Sequence, residues 1–174
     1  SGPRLLVVNV VAPYLLTALL QRPQRLIYLS SSMHTGGRAS LAGLDWSGRS
    51  STGSYSDSKL FVTTLAVAIA RLWPDVLSNA VNPGWVPTKM GGANAPDDRR
   101  LGHLTQEWLA TSNDPEALTS GGYWYPGSTA GRARRCHGHE AGVSSLLRLP
   151  VSSLLAYMAR TLAPIEGLLG APCC

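Results

Sequence analysis

Tyr55 and Lys59 stand four residues apart in Tyr55-Ser-Asp-Ser-Lys59, inside a stretch that reads as helix. Residues at i and i+4 share a helix face, so a phenol and an ammonium can converge on one point there. An unperturbed phenol titrates near pH ~10, too high for easy proton transfer at neutrality. A neighbouring cation favours the phenolate, and a phenol tuned in that way serves as a general acid or base. The spacing alone is common in helices, so its meaning rests on its companions. These are Asn9 in an apolar helical stretch, the triplet Ser30, Ser31 and Ser32, and Asn82-Pro-Gly84. Singly, each has a plain structural reading: a helix polar residue bonded to backbone, strand-end turn residues, and a tight turn. Their order along the chain favours chemistry.

Elements must hold these side chains in place. Residues 5–22 read as a helix that is apolar nearly all round and therefore buried. Residues 25–30 read as a short strand, with Pro23 before it and a Ser-rich loop after it. Residues 32–52 form a Gly- and Ser-rich loop with Leu41, Leu44 and Trp46 as anchors. Residues 54–73 form the next helix, stopped by Pro74, and residues 76–82 a second strand closed by Pro83-Gly84. Residues 100–111 read as a short amphipathic helix, Asp114-Pro-Glu as the start of another turn or two, and residues 121–125 as a third strand. Helix and strand alternate, which predicts an α/β fold with a parallel, doubly wound, Rossmann-like sheet of about three strands and flanking helices. Ligands of such sheets bind beyond the carboxyl ends of the strands, where Ser30 to Ser32 and Asn82 to Thr88 fall.

The chain has 174 residues, 44% of them hydrophobic and 14% charged, so it can bury a real core. A net charge of +5 without a basic run interleaved with aromatics argues against nucleic acid as a partner. No signal peptide or membrane-spanning run is legible, and all three cysteines fall after residue 135. A reducing, cytoplasmic setting is the default expectation. Cys136-His-Gly-His139 is too cramped for tetrahedral closure, so no metal site is expected, and Cys173-Cys174 lacks the CaaX form needed for lipidation. Trp85, Trp108, Tyr123, Trp124 and Tyr125 read as packing residues before pocket residues, and His34 and His103 as structural or exposed.

Taken together, Asn9, the Ser triplet, Tyr55 with Lys59 and Asn82-Pro-Gly-Trp-Val-Pro-Thr88 resemble the second half of a short-chain dehydrogenase/reductase. The likeness is strongest to the retinol-dehydrogenase-like and WW-domain-oxidoreductase-like branch. Ile27-Tyr-Leu-Ser-Ser-Ser-Met-His34 and Ser54-Tyr-Ser-Asp-Ser-Lys-Leu60 carry it, and it covers about residues 5–126. The resemblance implies an NAD(P)-dependent oxidoreductase that moves a hydride between a nicotinamide cofactor and a small carbonyl or alcohol. Tyr55 would be the acid/base at the substrate oxygen. Lys59 would lower its pKa and bind the nicotinamide ribose. Ser31 would hydrogen-bond the same oxygen, with Ser30 and Ser32 as alternatives. Asn9 would hold a relay water behind Lys59. Tyr55, Lys59, Pro83, Gly84, Val86 and Thr88 would contact the cofactor. The family also implies a homodimer built on the helices that bear Asn9 and Tyr55.

The family's other half, with its TGxxxGxG phosphate turn, has no counterpart in this sequence, so the resemblance is to the C-terminal half only, residues 1–127. Residues 128–174 read as an atypical tail, partly helical or disordered, of the kind produced by altered splicing or a shifted frame. Two readings of function follow. One is the oxidoreductase, with NAD or NADP as cofactor. The other is a non-catalytic truncated fragment or interaction module that pairs through an open sheet edge.

Overall fold

In the computed structural model, which describes residues 2–126 and 133–135, the longest helix begins where the sequence supplies a cap. Helix α2 spans Tyr55–Leu72. The Ser54 hydroxyl accepts from the Asp57 N–H at 3.0 Å, and the Asp57 carboxylate accepts from the Ser54 N–H at 2.9 Å. This reciprocal box satisfies two donors that a helix start leaves open. The helix ends at Trp73, whose non-helical ψ of 81° is what the following Pro74 demands. Leu60, Phe61, Val62, Leu65, Ala66 and Ile69 are buried along it, each large side chain stabilising the fold by about 1.5–3 kcal/mol.

Before α2, a π-helical turn, Val7–Val11, runs directly into helix α1, Ala12–Leu19. Pro13 has no N–H to give the Asn9 carbonyl at α-helical spacing. The ladder widens at this point, and the Ala12 N–H bonds the Val7 carbonyl instead. The expected helix is therefore present, with a bulge at Asn9. Its expected burial all round is not observed. Val10 and Val11 are buried, but Val8, Leu16 and Leu19 are 59–67% exposed, because only one face has a packing partner among the described residues.

Strands β1 (Arg25–Leu29), β2 (Leu77–Val81), β3 (Tyr123–Pro126) and β4 (Ala133–Arg135) form one sheet in that order. β1 and β2 are parallel, with Arg25 opposite Leu77 and Leu29 opposite Val81. β2 and β3 are also parallel, and β4 lies antiparallel to β3. The three expected strands are found, each within a residue or two of its expected place. The fourth was not expected. It falls in the stretch read as tail and makes the sheet mixed. Three residues carry no periodic pattern, so only pairing with β3 defines this strand. What the sequence suggests for the rest of residues 128–174, with Cys136, His137, His139, Cys173 and Cys174, lies outside the described residues.

Two layers of helix cover the sheet. On one face, Tyr28, Ala80 and Tyr123 pack against Val62, Leu65, Ala66 and Ile69 of α2. A neighbouring cluster joins Leu6, Val10 and Val11 to Leu60, Phe61 and Trp46, so Trp46 anchors the long loop as expected, with Leu41 and Leu44 beside it. On the other face, helix α3 (Leu104–Thr111) sets Leu109 against Val81 and Trp124. The Arg25 guanidinium fastens α3 by donating to the Leu109 and Ser112 carbonyls, both at 2.8 Å. Asp114 starts a hydrogen-bonded turn, accepting from the Ala117 and Leu118 N–H groups, but not the expected helix. Buried Asn79 joins β2 to β3. Its side-chain oxygen accepts from the Gly122 N–H at 2.8 Å and the Trp124 indole N–H at 3.2 Å, and its amide donates to the Thr119 carbonyl at 2.7 Å. No helix among the described residues is long and apolar enough to cross a membrane.

Candidate active site

The end of β1, the start of α2 and the π turn meet at one place, and each brings polar side chains to it. Ser30 prolongs the β1 ladder by donating its N–H to the Val81 carbonyl at 2.7 Å. Its hydroxyl is buried 2.5 Å from the Thr63 hydroxyl of α2, so Ser30 seats the strand on the helix. Ser31 follows in extended backbone and caps a 3-10 turn, Ser32–Gly36, accepting the Met33 N–H at 3.3 Å. Ser32 is exposed. Of the three serines, Ser31 is the one that draws the Tyr55 phenol down.

Tyr55 is the first residue of α2 and half-buried. Burial pushes its phenol above the ordinary value, and the Ser31 hydroxyl pulls it part of the way back. The Lys59 ammonium lies 5.4 Å from the Tyr55 ring centre. That ammonium donates to the Leu29 carbonyl at 2.9 Å. Gln24 and Ser30 bond β2, and alternation along the strand turns the Leu29 carbonyl to the opposite edge, which no described strand covers. Burial also lowers the Lys59 pKa.

Asn9 reaches the same place from the π turn. Its amide donates to the Ser58 hydroxyl at 3.0 Å, and that hydroxyl donates to the Tyr55 carbonyl at 2.7 Å. The Asn9 side chain is thus committed to fixing the first turn of α2. Ser58 was missed as a site residue. The available signal was its position three residues after Tyr55, where a helix brings a hydroxyl back over its own turn. Asp57 was missed as well. It is 2% exposed, and its carboxylate also accepts from the Arg38 N–H at 2.7 Å, so the loop before α2 is pinned beside Tyr55.

Pro83, Gly84 and Val86 line a cleft of about 470 Å³ beyond the carboxyl end of β2, with Asn82, Asp97, Asp98, Leu101, Gly102, Tyr125, Pro126 and Arg134. Gly84 has φ +86°, a region that suits glycine, and a Cβ there would come within 2.8 Å of an Asp97 carboxylate oxygen. Asn82 accepts the Gly84 N–H at 3.1 Å and shapes the turn. Thr88 is exposed and outside the lining, and its hydroxyl accepts the Gly91 N–H at 3.1 Å. Tyr55, Lys59, Ser31 and Asn9 do not line this cleft. The structure thus gathers the expected residues into two groups. Among the aromatic residues, Tyr123 and Trp124 are core, Trp108 packs on Trp124, Tyr125 faces the cleft, and Trp85 is exposed. No group of three metal-binding side chains occurs among the described residues.

Comparison with known proteins bears on the family and the fold. The chain is 36% identical over 129 residues to a short-chain dehydrogenase of Penicillium rubens, covering 71% of this chain and 50% of that protein. It is 38% identical over 129 residues to a short-chain dehydrogenase of Gibberella zeae, covering 71% and 49%. A solved structure of an uncharacterized Mycobacterium paratuberculosis protein shares the fold, with a TM-score of 0.63 at 21% identity, covering 87% of this chain and 58% of that one. No family model matches the sequence. The chain belongs to the short-chain dehydrogenase/reductase family. It spans about half the length of the curated relatives it matches.

Proposed function

We propose that this chain supplies the proton-transfer side of an NAD(P)-dependent oxidoreductase acting on a carbonyl/alcohol pair. The observation that carries the reading is Tyr55 and Lys59 at the start of α2, the ammonium 5.4 Å from the ring centre. That ammonium is bonded to the Leu29 carbonyl at the end of β1, next to Ser30 and Ser31. A protonated phenol beside a hydroxyl can place two donors on one substrate oxygen. Tyr55 gives or takes the proton there, and Ser31 holds the oxygen and steadies charge as it develops. Burial raises the phenol, which keeps Tyr55 protonated at neutral pH but makes it a weaker acid, so donation needs a cation brought to the ring.

The residues present fit the nicotinamide end of the cofactor and nothing more. Gly84, held at a positive φ, brings bare backbone to the cleft, and Pro83 and Val86 give it apolar walls. No Gly-rich strand-to-helix turn stands among the described residues to hold a pyrophosphate. When bound, the cofactor supplies or accepts the hydride. Lys59 would use the donors not given to the Leu29 carbonyl to hold the ribose hydroxyls. Asn9 and Ser58 hold the Tyr55 backbone still during proton transfer, and water held near the Asn9 backbone would relay the proton. The substrate is a small carbonyl or alcohol, and NAD and NADP are both compatible with these residues.

The test uses Tyr55→Phe, Ser31→Ala and wild type, assayed for NADH- and NADPH-dependent carbonyl reduction. Tyr55→Phe is expected to lower kcat by a factor of ~100 or more, the usual scale of one acid/base group. Wild-type turnover by Tyr55→Phe would refute the reading. A second reading, a non-catalytic chain, is favoured by the engagement of Lys59 with Leu29. Titrating the chain with NADH and following its fluorescence separates the two, because saturable binding at micromolar concentration counts against the second.

A further inference from the structure

Asn82 follows β2, and its side chain is only half engaged. The backbone N–H donates to the Trp124 carbonyl at 2.7 Å, so the residue is fixed to the sheet. The side-chain Oδ1 accepts the Gly84 N–H at 3.1 Å. An amide nitrogen cannot accept that hydrogen, so the orientation of the Asn82 amide is settled. Its Nδ2 then carries hydrogens with no acceptor among the described residues, and Asn82 lines the cleft. Asp97 grips the same turn. Its backbone N–H donates to the Trp85 carbonyl at 3.1 Å, and its Oδ2 accepts the Trp85 N–H at 2.6 Å. That oxygen lies against the Gly84 α-carbon, where a Cβ would come within 2.8 Å of it. Asp97 also lines the cleft, and its Oδ1 has no donor among the described residues. Gly84 thus has an amide with open donors on its N–H and a carboxylate with an open oxygen beside its α-carbon. The other acid of the lining, Asp98, is paired with Arg100 at 2.8 Å.

We propose that Asn82 and Asp97 recognise a primary carboxamide in this cleft: Asn82 Nδ2 donates to its oxygen, and Asp97 Oδ1 accepts from its nitrogen. A primary carboxamide carries one acceptor and one donor group side by side, which is the complement of this pair. A carboxylate offers acceptors only, so one of its oxygens would meet the Asp97 carboxylate, and like charge would reject it. A ketone would leave Asp97 without its hydrogen bond. Pro83, Val86 and Leu101 give the cleft apolar walls that suit a flat ring bearing such a group. The inference rests on the reading of this cleft as the nicotinamide end, and it names the two side chains that select the carboxamide. The competing view is that both side chains serve only to shape the turn at Gly84.

The test needs no turnover. The full chain is labelled with nitrogen-15 and titrated with free nicotinamide, and separately with nicotinate, its carboxylate isostere. Titrations run to about 50 mM, because ligands of this size bind in the millimolar range. The Asn82 side-chain NH2 pair is followed by NMR and assigned by its loss in Asn82→Asp. In wild type it is expected to shift and saturate with nicotinamide, about tenfold more tightly than with nicotinate. Asn82→Asp keeps an oxygen for the Gly84 N–H but removes the donors. Nicotinamide affinity, read from the Val86 and Gly102 backbone amides, should fall about tenfold. Asp97→Asn keeps an oxygen for the Trp85 N–H and puts an NH2 group in the open position. The preference should then turn toward nicotinate, a reversal that turn shaping alone does not produce. The proposal is overturned if the Asn82 pair stays still while Val86 or Gly102 responds, or if Asn82→Asp binds nicotinamide as wild type does. An unchanged preference in Asp97→Asn also overturns it. So does nicotinate binding to wild type as well as nicotinamide, which would point to Arg134, the only basic residue of the described lining. No shift anywhere in the cleft would remove the nicotinamide from it as well, whereas turnover by Tyr55→Phe would sink only the acid/base reading.

Discussion

Replacing Asp57 with alanine should cost the fold about 3–4 kcal/mol at neutral pH. The figure follows from what the carboxylate holds. One oxygen accepts the Arg38 N–H at 2.7 Å, and the other accepts the Ser54 N–H at 2.9 Å. Hydrogen bonds to a charged group are worth about 1.5–3 kcal/mol each, and the lower end applies where water can reach the freed donors. The Arg38 guanidinium, 3.6 Å away and 72% exposed, adds about 0–1 kcal/mol. Burial pushes the Asp57 carboxyl up, but the Arg38 and Ser54 hydrogen bonds and the Arg38 charge together bring it below the usual value. A depressed carboxyl stabilises the fold above its unfolded pKa of about 4, and that contribution is lost as pH falls through the folded value. The penalty of Asp57→Ala should therefore be full at pH ~7 and shrink once the wild-type carboxylate is protonated. Urea unfolding of both proteins across that range reads it directly. A penalty below about 0.5 kcal/mol at neutrality, or one that does not change with pH, would refute the accounting.

Two further substitutions test the frame around the site. Asn79→Leu keeps the volume but leaves the buried Gly122 and Trp124 N–H groups and the Thr119 carbonyl without partners, so urea unfolding should show a loss of about 3–5 kcal/mol. Gly84→Ala forces a side chain into φ +86° against Asp97, and a loss of about 1–2 kcal/mol with weaker NADH binding is expected, read by denaturation and by cofactor fluorescence.

Helix α2 was legible because its signals are local. Ser54 and Asp57 cap it, Pro74 stops it, and apolar residues at helical spacing give it a buried face. The three parallel strands were legible for the same reason. Tyr55 and Lys59 had to share a face, since four residues of helix allow nothing else. The π turn was also written in the chain, in Pro13 placed four residues after Asn9, but that spacing was not read. β4 was not readable, because its three residues become a strand only through pairing with β3.

By itself the sequence determined the order of the chemistry-bearing residues and the elements that carry them, because spacing, caps and turn residues act over a few positions. Tertiary structure decided which groups meet. It sorted the three serines: the end of β1 buries the Ser30 hydroxyl against Thr63, sets Ser31 as the cap of the next turn and leaves Ser32 exposed. It sent the Lys59 ammonium to the Leu29 carbonyl on an uncovered strand edge, and it raised the phenol by burial. It also placed His34 under Ser31 and against Tyr123, a contact between residues 89 positions apart. Such pairings depend on register and packing between distant segments, and no local pattern in the chain encodes them.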